Sequence, residues 1–98
     1  MDNNLDEAIR ILEELKTTQT PPNEHIFEQL DKLYEMRLEI VELHIEIATA
    51  EYESVTAALE DVITEGKEAL EDTGKIASTL RKIDKAVGLF KKLIDSIK

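Results

Sequence analysis

From Phe27 to Ile97, apolar residues recur at alternating steps of four and three for about ten repeats. A 3.5-residue period of that length commits the stretch to helices that bury one edge against other helices. One row reads Phe27, Tyr34, Val41, Ala48, Val55, Val62, Ala69, Ile76, Ile83, Phe90, Ile97, and every member is apolar. The companion row, which runs from Asp31 through Leu38, Ile45, Tyr52 and Leu59 to Ile94, is interrupted by Asp31, Gly66 and Thr73. The expected fold is therefore all-α and coiled-coil-like.

The chain has 98 residues, the size of one small helical domain, and it contains three glycines, two prolines and no cysteine. Absence of cysteine excludes a disulfide framework and a thiol nucleophile, and it suits a reducing, cytoplasmic setting. The acidic start MDNNLDEAIR has neither the basic segment nor the apolar run of a secretory signal. Formal charge is -10 and unevenly placed: residues 1–74 hold 20 acidic and 5 basic side chains, whereas residues 75–98 hold 2 acidic and 7 basic. An acidic body of this kind argues against nucleic acid as a partner, because phosphate backbones are bound by cationic surfaces.

Boundary signals predict three helices. The first spans about residues 4–16, opening with Asn4 and Glu7 in the order of a capping box. Pro21 and Pro22 end it and suit the first turn of the next, with Thr20 as cap. No further proline or glycine occurs before Gly66, so helix two is expected from about 22 to 65 as a spine of roughly 66 Å. Gly66 and Gly74 bracket a turn over 66–74, where a left-handed glycine could end the helix, and helix three follows over 75–97. A single rod from Pro22 onward is the alternative, because the heptad phase does not slip across the glycines. Opposed charges favour the hairpin, with Glu39, Glu46, Glu53 and Glu60 on helix two facing the cations of helix three.

A second stripe on helix two, Ile26, Leu33, Ile40 and Ile47, lies about 100° from the first row and exceeds what a short first helix can cover. It predicts self-association into a helical-bundle homodimer or higher oligomer. Between the stripes runs a polar row, Arg37, His44 and Glu51, that suits register selection at such an interface. In an antiparallel dimer His44 would meet its counterpart and make association pH-sensitive. His44 lacks ligand-type neighbours three or four residues away, and His25 with Glu28 suits a solvated cluster, so no metal or cofactor is expected.

No catalytic constellation stands out, since the serines fall in predicted helices and no glycine-rich loop could cradle a phosphate. The expected role is a non-catalytic interaction or adaptor protein with helical partners. The alternative is peripheral membrane association through helix three, where Arg81, Lys82, Lys85, Lys91 and Lys92 oppose an apolar face that includes Phe90.

Overall fold

A computed structural model describes residues 2–18, 23–43 and 50–97. Its elements are α1 (Asp2–Thr18), α2 (Glu24–Leu43), α3 (Ala50–Glu71), a 3-10 turn (Thr73–Lys75) and α4 (Ile76–Ile97), with no strand among the described residues. The fold is all-α.

The expected spine over 22–65 is replaced by two helices that run in opposite directions. Gln29 and Lys32 near the start of α2 meet Asp84, whereas Met36 and Glu39 further along face Val87, Phe90 and Lys91, so α2 runs parallel to α4. Ser54 faces Leu89 and Lys92 while Gly66 lies by Thr79, so α3 runs antiparallel to α4. Consequently α2 and α3 run in opposite directions. Length alone requires this: a helix of roughly 66 Å does not fit a molecule whose longest principal extent is 41 Å.

Around the bundle the neighbours are α1 with α2, α2 with α4, α4 with α3 and α3 with α1. This places α2 and α3 on one diagonal. A single buried cluster fills the centre, to which α1 contributes Leu5, Ala8, Ile9, Ile11, Leu12 and Leu15. Each large aliphatic side chain so buried contributes roughly 1.5–3 kcal/mol against exposure to water. The broad face of α1 thus drives its docking.

Helix ends are set by side chains. Asn23 caps α2, its Oδ1 accepting from the His25 amide at 3.0 Å and its carbonyl from the Ile26 amide at 3.1 Å. The expected cap, Thr20, lies outside the described residues. The turn expected over 66–74 is confined to 72–75. Gly66 belongs to the interior of α3 and is buried, and neither glycine of the bracket adopts a left-handed backbone. Reversal is made instead by Asp72, in extended conformation, whose carboxylate accepts from the Gly74 amide at 3.0 Å.

Gly66 has a packing role. A Cβ there would stand 2.6 Å from Cγ2 of Ile11, which is completely buried, so the missing side chain lets α1 and α3 approach. A position that interrupts the seam in sequence is thus one where α1 packs directly against the backbone of α3.

Candidate interaction surface

Helix α2 buries Ile26, Gln29, Leu30, Leu33, Met36 and Ile40 against α1 and α4. Spacings of three and four place these residues on one side of the helix. Turning that side inward forces the original seam outward. Phe27, Tyr34 and Leu38 retain 41%, 40% and 63% of their accessible surface, and they are the large apolar residues left exposed among those described. Phe27 and Leu38 are 11 positions apart, roughly 16 Å along the helix axis.

One edge of this row is held by α1. Lys16 Nζ sits 5.8 Å from the centre of the Phe27 ring, within cation–π range. The Tyr34 hydroxyl donates to Glu13 Oε1 at 2.9 Å, and Lys16 Nζ pairs with Glu13 Oε2 at 2.8 Å. Arg37 Nε reaches Asp6 Oδ1 at 3.4 Å. The hydrogen bond from Lys16, followed by that from Tyr34, holds the Glu13 carboxyl below its ordinary range. The same contact with Glu13 raises both the Lys16 ammonium and the Tyr34 hydroxyl. The other edge is acidic, with Glu24, Glu28, Asp31 and Glu35 all exposed.

The residues singled out in sequence separate into distinct environments. Ile26, Leu33 and Ile40 retain 1%, 0% and 6% exposure, so this stripe is covered by the chain itself and supplies no outward association surface. The physical reason is the fourth helix: with α4 on one side of α2 and α1 on the other, coverage no longer depends on a second copy. Arg37 is exposed and engaged with Asp6, Glu51 is exposed in the first turn of α3, and His44 and Ile47 lie outside the described residues. Arg37 and Glu51 therefore stand on different helices, α2 and α3. His25 stands 3.6 Å from Glu28 with both side chains largely in solvent.

On α4, Arg81, Lys85, Lys91 and Lys92 are exposed and Lys82 is half-buried. Phe90 is 2% exposed, packed in the core with Ile83, Ala86, Val87, Leu93 and Ile94. The apolar half of this amphipathic helix is occupied, and its cations face outward together with Asp84 and Asp95. No helix of the described residues is long and apolar enough to cross a membrane.

Phe27, Tyr34 and Leu38 were missed as an exposed set because their spacing equals that of a buried seam. Asp31 was the available signal. It falls in sequence between Phe27 and Tyr34, on the companion row with Leu38, and a carboxylate there suits solvent better than a core. Comparison with protein-family models, characterised proteins and solved structures finds no match to the chain.

Proposed function

We propose that the chain is a non-catalytic helical interaction protein, an adaptor whose docking face is the outward side of α2. The observation that carries this reading is the exposed row of Phe27, Tyr34 and Leu38 on a bundle whose other described large apolar side chains are buried or half-buried. Aromatic and aliphatic groups left in water at helical spacing suit a partner helix that supplies the missing neighbours. The absence of cysteine suits a cytoplasmic setting for that role. Self-association through helix two, if it occurs, uses this outward row and not the stripe of Ile26, Leu33 and Ile40.

Site-specific photo-crosslinking tests the reading. A photoreactive residue replacing Leu38 should give a discrete adduct in cell extract, whereas one at exposed Glu60 on α3 should not. Equal, diffuse labelling at both positions would reject α2 as the docking face.

Membrane association through α4 is weakened as an alternative, because Phe90 and its apolar neighbours already fill the core. Arg81, Lys82, Lys85, Lys91 and Lys92 could act only electrostatically unless α4 left the bundle. Sedimentation with anionic vesicles at low salt decides this, and no bound protein ends the membrane case.

A further inference from the structure

We infer that the α2 face is built for a cationic amphipathic helix, a partner presenting apolar anchors at helical spacing with lysine or arginine along one flank. This rests on the docking role proposed for α2 and specifies the chemistry of what docks there. The argument is charge complementarity around the apolar row. Glu24, Glu28, Asp31 and Glu35 are exposed along its free edge. On the opposite edge, Lys16 and Arg37 are already engaged by Glu13 and Asp6. A partner laid on Phe27, Tyr34 and Leu38 therefore meets four exposed carboxylates on one side, where Lys32 is drawn to Asp84 and Glu28 has His25 beside it, and internally compensated charge on the other. Such an arrangement favours cations and fixes which flank of the partner carries them.

A second copy of this chain fits the same surface poorly. Antiparallel pairing that sets Phe27 against Leu38 brings Glu28 of one copy beside Glu35 of the other. Parallel pairing places Asp31 against its own counterpart in the middle of the interface. Either orientation juxtaposes carboxylates as contact removes water, which costs affinity and selects against the pairing. A polyanionic partner is disfavoured for the same reason.

The length of the row sets the size of the partner. Three anchors over roughly 16 Å call for a helix of about 12 residues or more, with contacts at i, i+4 or i+7 and i+11. Leu38, with 63% of its surface exposed, has the most to gain from coverage.

The experiment uses the whole chain and two labelled 18-residue helical peptides that share the same leucine row. One carries lysine on its flanks and the other glutamate, and binding is followed by fluorescence anisotropy. Wild-type protein should bind the lysine peptide, and Leu38→Ser should weaken it about tenfold, as expected for loss of the most exposed apolar anchor. Glu28→Lys with Glu35→Lys should weaken the lysine peptide by a similar factor and admit the glutamate peptide. Glu53→Lys with Glu60→Lys on α3 makes the same change in net charge away from the face, so it should leave affinity within about twofold. Circular dichroism on each variant confirms that the helices persist.

If the α3 pair weakens binding as much as the α2 pair, attraction is to overall charge and the inference is overturned. Preference of wild-type protein for the glutamate peptide, still lost in Leu38→Ser, would overturn the charge class while keeping α2 as a docking face. Indifference of both peptides to Leu38→Ser would overturn the docking face itself.

Discussion

At the residue scale, two glycines with the same helical backbone have opposite expected costs. Gly88 on α4 is exposed with nothing within 4 Å of an added Cβ, so Gly88→Ala should stabilise the protein by about 0.5–1 kcal/mol through helix propensity. Gly66→Ala gains the same propensity but drives a methyl into Ile11, and overpacking of about 1–3 kcal/mol outweighs it. Urea denaturation should show a net loss near 1 kcal/mol, which disappears in an Ile11→Ala background. A second contrast lies between α2 and α4. The Gln29 amide donates to Asp84 at 2.7 Å, while its Oε1 is buried without a hydrogen-bond partner among the described residues. Asp84→Ala strands a buried donor and should cost about 1 kcal/mol; Gln29→Met removes both amide groups and should be nearly neutral.

At the scale of elements, the junctions depend on a few polar contacts. Asp72 caps the turn into α4, so Asp72→Ala should lower stability by about 1 kcal/mol, and Asp72→Asn should recover most of it. The α1–α2 latch is pH-dependent. Because the folded-state Glu13 carboxyl titrates below its unfolded value, its contribution is present above the ordinary carboxylate range and is lost as pH falls through the lowered value. Glu13→Gln should therefore show a smaller drop in its urea midpoint between pH 7 and pH 3 than the wild type. All-helical character could be read from periodicity and composition. The reversal after α2 could not, because residues 44–49, His-Ile-Glu-Ile-Ala-Thr, contain neither glycine nor proline. An unbroken heptad phase looked like one helix, yet phase carries no information about direction once a chain turns back. On α2 both candidate rows were apolar, and only Asp31 argued for solvent on one of them. The apolar row of α4 was legible because its polar side is strongly cationic.

At the scale of the whole molecule, the arrangement is a four-helix bundle with α2 and α3 on a diagonal. Its Cα radius of gyration is 13.2 Å, close to the roughly 13 Å typical of a compact chain of about 100 residues. A spine-based dimer would be much longer. Opposed directions of α2 and α3 are also what turn Ile26, Leu33 and Ile40 inward and leave Phe27, Tyr34 and Leu38 for a partner, so chain reversal is the central claim. The chain contains no cysteine, and single cysteines at exposed Glu28 and Glu60 can therefore carry spin labels without background. Pulsed electron paramagnetic resonance should give a distance below about 35 Å, allowing for label arms, because α2 and α3 face each other across a bundle with transverse extents of 20 and 19 Å. A distance near 48 Å, the length of 32 residues of unbroken helix at about 1.5 Å each, would contradict the account.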